Sequence, residues 1–257
     1  MNTQTGCEHI LADRQGGVLK LTLNRPDKLN ALSQAMYSAL AQALKQADHD
    51  DDISVVLIQG SSQCFSSGND LADFLKNQPA SVENSPVMQF IYSVLRLTKP
   101  LVAGVAGHAV GIGTTLLLHC DLVYLSQDAR LQTPFVKLGL TPEFGASWLL
   151  PRRVGRARAA QLLLLGEAIN ADQALDWGLA NAVLADGAKA LARAEQAAAQ
   201  LAALPTEAVA ISRRLLCQSD VEQLARVVAQ EAVLFAKRLA STQAQAAFNA
   251  FLTAQKD

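Results

Sequence analysis

Two short stretches of this 257-residue chain carry residue types able to stabilise developing negative charge. The first, Phe65-Ser66-Ser67-Gly68-Asn69-Asp70-Leu71, follows the apolar run 54–60 and leads into a helix-like segment from Leu71. The second, Gly107-His108-Ala109-Val110-Gly111-Ile112-Gly113, follows the apolar run 101–106 and opens into Thr114-Thr115-Leu116-Leu117-Leu118. Each reads as a strand-to-helix junction. The first N–H groups of a helix have no acceptor in their own segment, so they bind anions or polarise a carbonyl oxygen. One N–H from each turn, aimed at a single oxygen, makes an oxyanion hole. Taken alone, Gly-rich turns are read equally well as tight connections.

The elements that must position these turns follow from apolar spacing. Residues 18–23 alternate as a half-buried strand that ends at Pro26. Ser33 is suited to cap a helix over 33–47, with Met36, Leu40 and Leu44 on one stripe. A strand over 54–59 precedes the first turn, and residues 76–86, rich in Pro, Asn and Ser, read as a loop. Met88, Ile91 and Leu95 mark the next helix; Pro100 opens another strand, and residues 121–125 form a further one. Uninterrupted apolar strands alternating with helices predict an α/β fold with strands covered on both faces. Periodicity leaves open whether the sheet is doubly wound or coiled from ββα turns. From Ala185 onward the chain is alanine-rich and helical, and Val221, Leu224, Val228, Phe235 and Leu239 trace one apolar stripe.

Composition narrows the function classes. Half of the residues are hydrophobic and 18% are charged, enough to build a sizeable core. A net charge of −1 supplies no basic field for nucleic acid or an anionic membrane, so neither is expected as a partner. The four cysteines, Cys7, Cys64, Cys120 and Cys217, are scattered without a Cys-x-x-Cys pair and read as free thiols in a reducing compartment. No transmembrane run, secretory leader or Ser-Lys-Leu-type tail is legible, which gives a cytoplasmic expectation.

The two turns in this order resemble the crotonase (enoyl-CoA hydratase/isomerase) superfamily. Arg25-Pro26-Asp27-Lys28-Leu29-Asn30-Ala31-Leu32 resembles its N-terminal signature, and the blocks at 166–171 and 177–181 resemble its later helix-turn-strand segment. The resemblance spans nearly the whole chain. It implies a right-handed spiral of ββα turns with an acyl-CoA site over residues 1–195. It also implies a C-terminal helical region over 196–257 that joins subunits into a homotrimer or a dimer of trimers. The substrate class implied is an acyl-CoA thioester, whose enolate oxygen would be held by the N–H groups of Asn69 and Ile112. Lys28, Leu29 and Ala31 would line the nucleotide and pantetheine path. Ser66, Gly68, Asp70 and Leu71 would lie near its ends, and Phe248 would cover the nucleotide, often from a neighbouring subunit. His108 is read as structural, and His119 and Cys64 as packing groups.

The placement of carboxylates separates the reactions. Family members that hydrate use two glutamates; the corresponding positions here are Thr115 and Phe135, neither of which exchanges a proton. A carboxylate stands instead in Leu140-Thr141-Pro142-Glu143-Phe144-Gly145, which resembles the Δ3,Δ2-enoyl-CoA isomerase branch. There Glu143 would take a proton from C2 of a 3-enoyl thioester and return it at C4, without metal or redox cofactor beyond the coenzyme A of the substrate. Phe144, Phe135 and Trp148 would desolvate it and favour its neutral form. The alternatives are an enoyl-CoA hydratase of β-oxidation working slowly through Glu143 alone, and a catalytically weak acyl-CoA-binding homologue. Two readings are remoter: a dehalogenase-like nucleophilic carboxylate, since nothing indicates a halogenated aromatic substrate, and an RNA-binding relative, since this near-neutral chain lacks a lysine-rich helix.

Overall fold

The computed structural model describes residues 2–3, 5–76, 82–217 and 221–254, so part of the expected loop over 76–86 lies outside the described residues. The chain opens with β1 (Asn2–Thr3), β2 (Ile10–Gln15) and β3 (Val18–Leu23), then α1 (Gln34–His49). Strands β4 (Val55–Gln59) and β5 (Cys64–Ser66) lead to helices α2 (Leu71–Lys76) and α3 (Pro86–Arg96). The pattern recurs with β6 (Leu101–Val105), β7 (His108–Val110) and α4 (Ile112–Thr115). A third round comprises β8 (Leu122–Ser126), β9 (Arg130–Gln132) and α5 (Ala146–Ala160). Then come β10 (Ile169–Asn170), α6 (Ala171–Asp176) and β11 (Ala182–Leu184), followed by α7 (Gly187–Ala202), α8 (Thr206–Cys217), α9 (Val221–Leu239) and α10 (Thr242–Ala254).

Each ββα round places one strand in each of two sheets. The larger sheet runs β1-β2-β3-β4-β6-β8-β11, the smaller β10-β9-β7-β5. From β3 to β11 the larger sheet is parallel, as is β5-β7-β9 in the smaller. This is the right-handed spiral of ββα turns, and it decides the alternative that periodicity left open. Strands β4 and β6 are buried at every position, which is why they read as unbroken apolar runs.

Helix α1 begins as expected: the Ser33 hydroxyl accepts the Met36 N–H at 3.4 Å, and Met36, Leu40 and Leu44 face the core. Tyr37 on the same face packs on Phe90 of α3, ring centroids 5.5 Å apart. Across the larger sheet α7 lays Ala194, Ala197 and Ala198 on Val55, Leu57, Val102 and Tyr124. These small side chains let the helix approach closely; a Cβ on Gly104 would stand 3.1 Å from that of Ala194.

Helix α9 turns Val228 and Glu231 fully inward, with Leu224, Phe235 and Leu239 packed against the core. Val221, expected on this stripe, is exposed instead, because the inward face of α9 begins a turn later at Leu224. All four cysteines are free thiols. Among the described residues no helix is long and apolar enough to cross a membrane, and no cluster of metal-ligating side chains occurs.

Candidate active site

The first turn is held by residues that precede α1. Leu29 and Asn30 adopt left-handed backbone, with φ of +49° and +55°. The buried Asn30 amide donates to the carbonyls of Cys64 (2.9 Å) and Phe65 (3.2 Å), while its oxygen accepts the Arg25 N–H at 2.8 Å. The Leu32 N–H donates to the Gly68 carbonyl at 2.8 Å, and the Asp70 N–H donates to the Leu32 carbonyl at 3.0 Å. This makes a one-residue parallel bridge between Leu32 and Asn69. In that register Asn69 turns its own N–H away from the bridge. Among the described residues that N–H has no acceptor.

The second turn is shaped by Gly111, whose φ of +56° and ψ of −119° few side-chain-bearing residues reach. Its carbonyl accepts the N–H groups of Thr114 and Thr115, leaving the Ile112 N–H at the head of α4 without an acceptor among the described residues. The two turns are in direct contact. A Cβ on Gly68 would lie 2.9 Å from the Val110 carbonyl oxygen, and one on Gly113 would lie 3.1 Å from that of Ser66. Backbone without side chains is what allows this approach.

Asn69 and Glu143 line one cavity of about 210 Å³. Its other walls include Phe74, Met88, Ile91 and Phe144, together with Val228, Ala232, Phe235 and Ala236 from α9. Among the described lining residues Glu143 is the one ionisable group. It is 6% exposed, and its Oε1 accepts the Thr115 hydroxyl at 2.9 Å. Burial pushes its carboxyl up to about 8, the nearby charge of Glu231 adds to this, and the Thr115 hydrogen bond opposes it. Replacing Thr115 with valine removes the one bond that favours the ionised form. The midpoint of the pH–rate profile is therefore expected to move to higher pH, with a lower rate at neutral pH; an unmoved midpoint would show that Thr115 does not govern this carboxylate.

Two further buried groups fix the site. The Tyr37 hydroxyl donates to the Asn69 side-chain oxygen. Burial, with the Glu143 charge adding, keeps this phenol protonated well above its ordinary range. The His119 ring stacks on Phe144 with centroids 4.0 Å apart, and its Nε2 lies 2.7 Å from the Phe144 carbonyl. A carbonyl only accepts, so Nε2 carries the proton. Burial foremost pushes this imidazole down to about 4, and it is neutral at physiological pH. Phe144, at φ +58°, and Gly145, at φ +75°, form two successive left-handed residues directly after Glu143. His119 holds the first of them; its role exceeds the packing expected of it.

The residues expected along the coenzyme path fall into two groups. Lys28 and Leu29 are exposed beside the first turn, with the Ser67 N–H on the Leu29 carbonyl at 2.9 Å; Ala31 and Leu71 are half-buried. Ser66 is fully buried, donating to the Asn30 carbonyl (2.9 Å) and accepting the Gly68 N–H (3.1 Å), so it braces the turn. Asp70 pairs with Arg25 at 2.7 Å and caps α2 by accepting the Asp73 N–H at 3.1 Å. Burial raises the Asp70 carboxyl, but these donors outweigh it and leave it below its usual range. Phe248 is fully buried within this chain's own core.

Of the three aromatic residues expected to desolvate Glu143, Phe144 lines the cavity. Phe135 packs beside Gly111, and Trp148, in the first turn of α5, lies under the Arg152 guanidinium and packs against the core; neither is among the described lining residues. Sequence reasoning missed Tyr37, the His119 stack and Glu231. The signal for Glu231 was present: it is a carboxylate three residues after Val228 on the apolar stripe of α9.

A two-sheet ββα spiral with two touching backbone turns, the first sharing a cavity with a buried carboxylate, is the arrangement against which the known proteins are set. The family model described as enoyl-CoA hydratase/isomerase matches residues 13–257, and this chain belongs to that family. The solved structure of OdaA from Pseudomonas aeruginosa superposes with a TM-score of 0.93 at 51% identity, covering 95% of this chain and 99% of that one. The 1,2-epoxyphenylacetyl-CoA isomerase of Escherichia coli is 38% identical over 84% of this chain and 85% of its own length. Human enoyl-CoA delta isomerase 2 is 35% identical over 97% of this chain, which spans 64% of that longer protein.

Proposed function

We propose that this protein shifts the double bond of a 3-enoyl-CoA to the conjugated 2-enoyl-CoA, with Glu143 as the single acid/base. The observation that carries this reading is that buried Glu143, the one ionisable group among the described lining residues, shares an apolar cavity with Asn69. Glu143 removes the C2 proton, and the resulting dienolate places its charge on the thioester oxygen. The N–H groups of Asn69 and Ile112 receive that oxygen; a preorganised donor of this kind contributes roughly 3 kcal/mol. Glu143 then returns the proton to C4. Atoms and charge balance with one proton moved out and back, so no metal or redox partner is called for, and coenzyme A enters as part of the substrate. A carboxyl near 8 suits this work, because the same group must act first as base and then as acid. The apolar walls from α3 and α9 suit a hydrocarbon acyl chain.

The test supplies cis- and trans-3-enoyl-CoA and follows the conjugated thioester, then supplies 2-enoyl-CoA and follows 3-hydroxyacyl-CoA. Isomerisation with little hydration is expected. Robust hydration without isomerisation assigns the protein to the hydratases, and coenzyme binding with neither reaction assigns it a binding role.

Residues 196–257 are proposed as the oligomerisation region. Leu215 (83% for its neighbour Leu216), Val233 and Leu234 leave apolar surface exposed on α8 and α9. A trimer, or a dimer of trimers, is the expected mass in solution; a monomer at micromolar concentration contradicts it.

A further inference from the structure

We infer that Glu231 is a positioning residue, which locks the Glu143 loop in its working geometry by capping α5 from across the cavity wall. The inference rests on the reading of Glu143 as the acid/base. Glu231 lies on α9, 88 positions along the chain from Glu143, yet its carboxylate is 6% exposed. Its Oε2 accepts the Gly145 N–H at 2.6 Å; its Oε1 accepts the Ser147 N–H at 3.0 Å and the Ser147 hydroxyl at 2.5 Å. Gly145 and Ser147 begin α5, so one carboxylate satisfies N–H groups that the helix start leaves without acceptors. The fit is close: a Cβ on Gly145 would lie 2.4 Å from Leu224 Cδ1 of α9. Two residues upstream stands Glu143, at the entrance to the left-handed pair Phe144–Gly145. Val228 and Ala232, flanking Glu231 on α9, line the cavity. Glu231 thus fastens the helix that walls the acyl site to the loop that carries the base.

The charge of Glu231 also faces that base. Three donors and no acceptor meet its oxygens, which suits the ionised form. Burial pushes its carboxyl up, while the bonds from Ser147 and Gly145 pull it back. Around Glu143 the other groups are Thr115 beyond α4's start, Tyr37 on α1, neutral because its phenol is pushed far up, and His119, neutral through Phe144. Arg153 and Arg213 lie beside His119. The α9 neighbours of Glu231 one turn away, Val227, Val228, Leu234 and Phe235, carry no charge. Glu231 is therefore the anion whose removal relaxes Glu143.

The experiment measures kcat, KM and the pH–rate midpoint for Glu231→Gln and Ser147→Ala, alongside thermal unfolding. For Glu231→Gln, kcat is expected to fall roughly 10²-fold, the scale of a small misplacement of a catalytic group, with KM little changed. Its pH–rate midpoint is expected to move to lower pH, because a neutral side chain no longer disfavours the Glu143 carboxylate. Ser147→Ala keeps the charge and loses one bond; a smaller fall in kcat with an unmoved midpoint is expected. A folded Glu231→Gln protein with parental kcat and midpoint overturns the inference. So does a lowered unfolding temperature with both parameters unmoved. If Glu231→Gln does not fold, a parental kcat in Ser147→Ala overturns it instead. Turnover that survives Glu143→Ala would defeat the acid/base reading itself, a separate result.

Discussion

Glu143→Gln is expected to abolish double-bond isomerisation while making the protein more stable above neutral pH. General acid/base catalysis contributes about 10² to 10⁴ in rate, and here one residue carries both proton transfers. A loss of at least 10³-fold in kcat on 3-enoyl-CoA is therefore expected, with coenzyme binding retained. The stability effect follows from the same carboxyl. Its folded-state value of about 8 stands above its ordinary value of 4.5, so between these limits the native protein holds a proton that the unfolded chain has released. The stabilisation from that proton is complete below 4.5 and is lost as pH rises through 8. Glutamine, neutral throughout, escapes the loss. The variant should exceed its parent at pH 8 by a margin on the order of a few kcal/mol in chemical denaturation, and the gap should close toward pH 4.5. Equal stability of the two proteins at both pH values would show that Glu143 is not held neutral by its surroundings.

The second large effect is expected at Gly68, which carries no chemistry of its own. Its φ of +95° is a glycine conformation, and an added methyl would stand 2.9 Å from the Val110 carbonyl oxygen. Gly68→Ala must therefore push the two turns apart or twist the peptide that presents the Asn69 N–H. Loss of one oxyanion donor costs about 10² to 10³ in kcat. A fall near the lower end of that range is expected, with about 1–3 kcal/mol of lost stability from backbone strain. Gly178→Ala is the matched comparison: it has φ of +75° but nothing within 4 Å of the added carbon. It bears similar strain without moving the turns. If Gly68→Ala turns over like its parent, the Asn69 amide is not an oxyanion donor.

These features were unequally legible in the sequence. Strands β4 and β6 and helix α1 came through because long apolar runs and a serine cap report local physics. The smaller sheet did not, since β5, β7 and β9 have three residues each and β10 has two, too short to show a period. Their register depends on neighbours in the spiral. Asn69 and Glu143 were legible as motifs, but the cavity they share was not, nor was the bond between Thr115 and Glu143, which closes a 28-residue separation to 2.9 Å. Tyr37 looked like an ordinary core aromatic: its hydroxyl partner, Asn69, is 32 residues away. Glu231 breaks the apolar stripe of α9, and only the start of α5 explains why a charge is tolerated there.

Helix α9 reaches the cavity of the same chain that supplies Glu143, and this has a genetic consequence. A polypeptide defective in its base and another defective in its α9 wall each retain only half of a working centre. In the proposed oligomer, mixing two such polypeptides would leave every centre broken in one half or the other. Co-expressed alleles of these two kinds would fail to complement, whereas a site shared between neighbours would recover a fraction of its turnover.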